Sequence, residues 1–352
     1  MREIRLYGSE GGGAVRSPYP YQRPGHVLDS HFRGNDEAPP YFQGAAMSLN
    51  MTLTRRQVLQ AATLTALRPI TAIAAEPNIR WALGAVTWVV KAGKASPLWS
   101  DILADIAAAG FDGFEPFTTR TLPVNDENMA ALEKLAPQHK LRMSGIYWGD
   151  EFHKAEKFDA LVKESHRFLG YLKRFGADRL IIGPPTPVVE DEKKSISNMA
   201  KLMNAIGKIA LDEYRIKVAV HPHVSGLIEN PRQIDQLMEE TDSRYFNLAP
   251  DTAQVWMGGG DPVRIIEKYK RRIVYLHYKD IRAYHRGLPN YLDNVIELGR
   301  GVIDFPAIHR ILKSVSYQGW ITIDLDNARI SPLESGKVNR AYIDQELNPI
   351  YR

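Results

Sequence analysis

The chain has no cysteine, which excludes disulfides, thiolate metal ligands and a cysteine nucleophile. The compartment stays open, because an exported protein loses nothing by lacking thiols. Strong charge of one sign is also missing. The net charge is +4 over 352 residues and the basic residues are scattered rather than blocked, so nucleic-acid binding is not indicated. No apolar run reaches the roughly 20 residues that a bilayer-spanning helix requires, so stable membrane insertion is not expected. No G-x-G-x-x-G follows the first candidate strand, and Gly258-Gly259-Gly260 has no Walker lysine. That glycine run instead relaxes the loop before a helix starting at Asp261-Pro262. What is present is 44% hydrophobic and 24% charged residues, enough for one large barrel or two ordinary domains.

The first 75 or so residues do not read as part of a fold. Residues 8–44 are rich in Gly, Pro and polar side chains and show neither helical nor strand period. Leu28-Asp29-Ser30-His31-Phe32-Arg33-Gly34-Asn35-Asp36 resembles a translated non-coding repeat, which places the expected start at Met47 or Met51. From either, Thr54-Arg55-Arg56-Gln57-Val58-Leu59 lies near the N-terminus and resembles a twin-arginine export signal. A mildly apolar stretch over 58–67 follows, then Arg68 and Pro69, then Ala72-Ile73-Ala74-Ala75, an A-x-A-like cleavage site. The alternative is an ordinary surface arginine pair before a short helix. The expected organisation is a non-native or disordered extension over 1–46, a signal peptide over 47–75 and a catalytic domain over 76–352. Export would place the enzyme in the periplasm; without a working signal it would stay in the cytoplasm.

From Ile79 onward, short apolar runs alternate with longer amphipathic ones. Strands are expected over 81–86, at Phe114-Glu115, and over 142–147, 179–182, 218–220, 246–248, 273–276 and 321–323. Helices are expected over 97–109, from Asn125 or Asp126 to 135, over 155–175 and 190–213, and starting near Pro231, Asp261 and Asp304. Eight strand units separated by helices over about 250 residues define a (β/α)8 TIM barrel, an α/β fold in a single domain. A doubly wound open sheet is the competing arrangement.

Polar residues follow the later strands. Val218-Ala219-Val220 delivers His221-Pro222-His223, and Phe246-Asn247-Leu248-Ala249-Pro250 delivers Asp251. Ile273-Val274-Tyr275-Leu276 delivers His277 with Lys279, Asp280 and Arg282 beyond, and Ile321-Thr322-Ile323 delivers Asp324. Imidazoles and carboxylates suit a borderline or hard divalent cation. A parallel barrel would bring these strand ends to one rim, where such enzymes keep their chemistry. Singly, each has a simpler reading: paired structural histidines, or an aspartate capping the next turn. In combination the four point to one divalent ion, whether Mn, Mg, Co or Zn.

Gly110-Phe111-Asp112-Gly113-Phe114-Glu115, Asp251-Thr252-Ala253-Gln254, His277-Tyr278-Lys279-Asp280-Ile281-Arg282, Gly299-Arg300-Gly301-Val302-Ile303-Asp304-Phe305 and Gly319-Trp320 are spread along the candidate barrel. Together they resemble the xylose-isomerase-like sugar isomerase/epimerase superfamily over about 79–327. The resemblance implies one divalent metal on Glu, Asp, His and Glu from strands five to eight, matching His221, Asp251, His277 and Asp324 here. His221 thus stands where the family has a glutamate, and Asp324 is one methylene shorter than its counterpart. In keto-sugar epimerases both glutamates also act as acid and base. The His221-Pro222-His223 stretch resembles the H-x-H region of the inosose-dehydratase branch.

The expected activity is a metal-dependent isomerase or epimerase acting on a keto-sugar or polyol-derived ketone through an enediolate. The alternatives are a dehydratase of the inosose type, a metal nuclease resembling endonuclease IV, and a non-catalytic exported sugar-binding barrel. Catalytic candidates are His221, His223, Asp324 and Glu115. Trp88, Tyr147, Trp148, Lys279 and Arg282 are candidate contacts to a small sugar or polyol. A homo-oligomer is compatible with the sequence.

Overall fold

Short β-rich runs pair in parallel into a ring, with amphipathic helices packed outside it. The computed structural model describes residues 78–91, 97–119, 122–184, 189–282 and 291–351. The expected extension over 1–46 and signal over 47–75 lie outside the described residues. The strands are β1 (Ile79–Gly84), β2 (Gly113–Glu115), β3 (Arg142–Met143), β4 (Ile146–Gly149), β5 (Arg179–Gly183), β6 (Lys217–Val220), β7 (Phe246–Leu248), β8 (Leu276–Tyr278), β9 (Asp280–Ile281), β10 (Val295–Ile296) and β11 (Gly319–Ile323).

Two parallel ladders, β3-β2-β1-β11-β8 and β4-β5-β6-β7, carry the ring. Single bridges close it: Phe117 with Tyr147 on one side, and Leu248 with Ile273 and Asp251 with His277 on the other. With β3 and β4 as halves of one strand, the ring has eight members, the TIM barrel that the alternation predicts. Among the described residues, no helix is long and apolar enough to cross a membrane.

Four elements differ from the sequence expectation. The first strand ends at Gly84 rather than residue 86, because a helix begins at Val86. Its first turn is tied back by Ala85 N–H to Glu115 O at 3.0 Å and Thr87 Oγ1 to Gly84 O at 3.2 Å. The third strand breaks at Ser144-Gly145; Ser144 leaves the regular pattern and bonds Tyr275 Oη at 2.8 Å in the barrel interior. The helix expected over 190–213 is α-helical over Glu192–Ile209 and ends in a wider turn at Ala210–Tyr214. The seventh strand pairs over Leu276–Tyr278, so His277 sits inside it instead of following it. An antiparallel β9–β10 pair was not expected.

The core divides between the two faces of the ring. Inside lie Ala82, Ile181, Ala219, Ala249 and Tyr275; the small alanines leave space that the tyrosine ring fills. Outside, larger aliphatic and aromatic residues pack the strands against the helices. The H-x-K-D and G-x-G-x-I-D-F stretches are joined physically. Asp280 accepts from the backbone N–H of Gly301 at 2.8 Å and of Ile303 at 3.3 Å. Asp304 caps the helix Phe305–Ser314 by accepting from Ala307 N at 2.9 Å. Burial pushes the Asp280 carboxyl up, and these amides oppose that shift. A Cβ at Gly301 would collide with Asp280 and the Ile281 carbonyl, so this glycine serves close approach of the backbone.

Candidate metal centre and active site

Three of the four proposed ligands are pinned by their own backbone N–H to a neighbouring strand or its exit, and the fourth by a residue just before it. His221 N donates to Ile182 O at 2.9 Å, His277 N to Pro250 O at 3.1 Å and Asp324 N to Tyr278 O at 3.1 Å; Ala249 N does the same to Val220 O at 2.8 Å, two residues before Asp251. Their backbone positions are therefore set by the barrel rather than by mobile loops. All four side chains are buried, and one ligand atom from each lies within 4.8 Å of all the others.

The orientation of the donors is specific. His221 Nδ1 and His277 Nδ1 are 2.6 Å apart, so both lone-pair directions converge on one point. On its far side, His277 Nε2 donates to Glu115 Oε2 at 2.6 Å. Burial disfavours the imidazolium of His277, but the Glu115 carboxylate lifts its pKa to about 9. The proton between the two Nδ1 atoms thus resides with His277, and a cation at that point would displace it. His221 is held well below the ordinary range by burial and by the His277 charge. Burial raises Glu115, partly opposed by His277.

The two aspartates each keep an oxygen in reserve. Asp251 Oδ1 accepts from Gln254 N at 2.7 Å and caps the helix Thr252–Met257, so the capping role and a ligand role coexist. Among the described residues neither its Oδ2 nor Asp324 Oδ1 accepts a hydrogen bond, although both atoms are buried; Asp251 Oδ2 has the Lys279 ammonium as an ion-pair partner. Unsatisfied buried carboxylate oxygens are costly unless charge is brought to them. Burial opposes ionisation of both carboxyls; in Asp251 it prevails and pushes the carboxyl up, whereas Lys279 and His277 hold Asp324 below the usual range. Two imidazole nitrogens, the unpartnered Asp324 Oδ1 and the ion-paired Asp251 Oδ2 around one point fit a divalent ion with N and O ligands.

Lys279 supplies the remaining charge. Its Nζ lies 3.2 Å from Asp251 Oδ2, 3.0 Å from Asp324 Oδ2 and 2.6 Å from Asp326 Oδ2. Burial disfavours the ammonium, but these three carboxylates outweigh it and push the pKa well above the ordinary lysine range. His223 is near the centre, its ring 5.8 Å from that of His221. Its Nδ1 lies 2.7 Å from Val224 O, which makes Nδ1 the protonated nitrogen and Nε2 the basic one, with no hydrogen-bond partner among the described residues. Burial and then Lys279 lower its pKa, favouring the neutral base. Tyr147 forms a wall, stacked on Phe117 at 4.7 Å and edge-on to His221 at 5.3 Å.

The other candidates lie elsewhere. Trp148 follows Tyr147 on β4 and so points to the opposite face, stacking on Phe168 at 4.7 Å in the outer core. Trp88 sits on the short helix after β1 and donates from Nε1 to Asp105 at 3.1 Å, away from the donor cluster. Arg282 is exposed, and its backbone N–H pairs with Asn294 O at 2.9 Å. Three residues not expected from sequence join the site: Phe117, Asp326 and Tyr291, whose hydroxyl donates to Asp326 at 3.2 Å. Asp326 and Phe117 were readable by period two, each standing two residues beyond an expected site residue. Tyr291 carried no local signal.

A donor set of this kind at the rim of an eight-stranded barrel coincides with a match to a family. Residues 103–346 match the xylose isomerase-like TIM barrel family, and the chain belongs to it. Among its curated relatives, the inosose dehydratase of Bacillus velezensis is 29% identical over 298 residues, spanning 77% of this chain and 97% of that protein. The inosose dehydratase of Halalkalibacterium halodurans is 26% identical, over 78% and 96% of the two chains. Among solved structures, the IolI protein with a binding zinc atom overlays with a TM-score of 0.62 at 15% identity, over 75% and 97%. A D-tagatose 3-epimerase-like protein overlays at 0.61 with 16% identity, over 77% and 98%. At those identities the structures establish the shared fold. The curated relatives support an enzyme and favour dehydration over the isomerisation expected first from sequence.

Proposed function

We propose that this protein is a metal-dependent dehydratase of a cyclic keto-polyol of the inosose type. The observation that carries the reading is the fate of position 221. An epimerase needs acid and base groups on opposite faces of the substrate, and the His221 lone pair is committed to the donor cluster. The proton-transfer group left beside the cluster is His223, whose Nε2 has no partner among the described residues and whose ring is kept neutral by burial. The similarity to inosose dehydratases over nearly their whole length points the same way.

In this reading His221, Asp251, His277 and Asp324 hold the cation, which supplies Lewis-acid polarisation of the substrate carbonyl. Glu115 fixes the His277 ring so that Nδ1 faces the donors. Phe117 and Tyr147 pack on a C–H face of the ring, while the Lys279 ammonium holds the Asp324 and Asp326 carboxylates in place. His223 Nε2 removes the proton from the carbon beside the carbonyl. That C–H electron pair becomes a C=C bond as the neighbouring C–O bond breaks. The departing hydroxyl takes the proton held by His223 and leaves as water, and the resulting enol tautomerises to a diketone. Elimination needs one base on one side, which matches the groups present.

The test is incubation of the metal-loaded protein with an inosose, read by mass spectrometry. A product lighter by one water supports the proposal. A mass-neutral product would return the reading to isomerisation. The twin-arginine reading of Arg55-Arg56 is proposed alongside it, with periplasmic delivery.

A further inference from the structure

The opposite mouth of the barrel holds a charged cavity, lined by groups that the donor cluster does not use. Arg179 is the first residue of β5 and Lys217 the first of β6, while Lys270 and Arg271 stand just before Ile273. With Tyr317 and Gln318, these four basic residues line a cavity of about 270 Å³. Lys217 is four residues from His221 along one strand, so the cavity and the donor cluster are roughly 13 Å apart.

The charges in this cavity do not balance. Asp178 Oδ2 pairs with Arg179 Nη1 at 2.5 Å, and Glu267 pairs with Lys270 at 2.5 Å. Lys217 and Arg271 have no carboxylate partner among the described residues. Arg179 is nearly buried and rigidly held, with Nε donating to Val274 O at 2.8 Å and Nη1 to Asp178 O at 3.0 Å. Its Nη2 has no protein acceptor among the described residues. Partial desolvation and then the Arg179 charge pull the Lys217 ammonium down, with Asp178 opposing. A cleft walled by protein and lined by one sign of charge concentrates counter-ions.

From this arrangement we propose that the N-terminal mouth of the barrel binds a small oxyanion of the phosphate class. A fixed guanidinium edge with ammonium and guanidinium groups from two other segments suits a multiply charged acceptor with several oxygens. The cavity is larger than one such ion, so either free phosphate or the phosphoryl group of a small metabolite fits. The proposal does not rest on the dehydratase reading.

The test is isothermal titration of the metal-loaded protein with inorganic phosphate, repeated with glycerol phosphate. Saturable binding of one ion per chain is expected. Lys217→Ala and Arg271→Ala, both at exposed positions, should each weaken it roughly tenfold. The His277→Ala variant should bind phosphate as the parent does, which separates this cavity from the metal centre. Tighter binding of the monoester than of phosphate assigns the site to a phosphorylated metabolite; the reverse order assigns it to the free ion. Absence of saturable binding overturns the proposal. So does binding that vanishes in His277→Ala while surviving in Lys217→Ala and Arg271→Ala.

Discussion

Glu115 allows a test of how the barrel prepares its proposed metal site without touching a proposed ligand. Its carboxylate lies 2.6 Å from His277 Nε2, and both groups are fully buried. Accepting the Nε2 proton keeps the Nδ1 lone pair available and adds negative charge behind the ring. In Glu115→Gln the shape is preserved and the amide oxygen can still accept, but the charge is gone. In Glu115→Ala the acceptor is lost and Nε2–H is left buried. Outer partners of this kind are worth about 10–100-fold in metal affinity, or about 1.4–2.7 kcal/mol. The expected losses are therefore about tenfold for Gln and about a hundredfold for Ala. Competition titration with a chromophoric chelator gives the affinities, and circular dichroism with thermal melting reports whether the fold persists. A purely structural role would lower the melting temperature and leave affinity alone. Wild-type affinity in both folded variants would refute the orienting role of Glu115.

Three further outcomes follow from other parts of the chain. His309 is buried, stacked on Trp81 at 5.6 Å, and burial lowers its pKa to about 4 from 6.5. The unfolded chain therefore binds the extra proton first, and stability is lost as pH falls from about 6.5 toward 4. Between pH 7 and pH 5 the loss is about 2 kcal/mol; denaturant midpoints should show it, and His309→Gln should remove that increment. Gly301→Ala should cost about 1–3 kcal/mol by forcing Asp280 away from the loop it holds; an unchanged thermal midpoint would contradict the close-approach account. Replacing Arg55-Arg56 by Lys-Lys should leave the protein in the cytoplasm; a normal periplasmic yield would discard the export reading.

The ring of strands was legible because each apolar run is short, bounded by polar or glycine residues and separated by a helical period. The clustering of the four candidate donors was legible for the same reason: parallel strands bring their ends to one rim, so position along the chain maps onto position in space. Side-chain direction was harder to read. Tyr147 and Trp148 are neighbours on one strand, so only one can face the interior, and the sequence alone does not say which. Trp88 was misplaced because β1 ends at Gly84, putting the indole on a helix whose partner is Asp105. The ties from Glu115 to His277 and from Lys279 to Asp326 span strands far apart in sequence and leave no local pattern. Tyr291 reaches the site from beyond the β9 strand, where no period points inward.

The central claim is that one divalent ion on His221, Asp251, His277 and Asp324 supports loss of water from a cyclic keto-polyol. The most direct measurement pairs metal analysis with product mass on the same samples of parent protein, His277→Ala and Asp324→Ala. One metal per parent chain and a dehydrated inosose product are predicted, with both lost in each variant. A full complement of metal in either variant, or dehydration that persists after the metal is removed, would contradict the account.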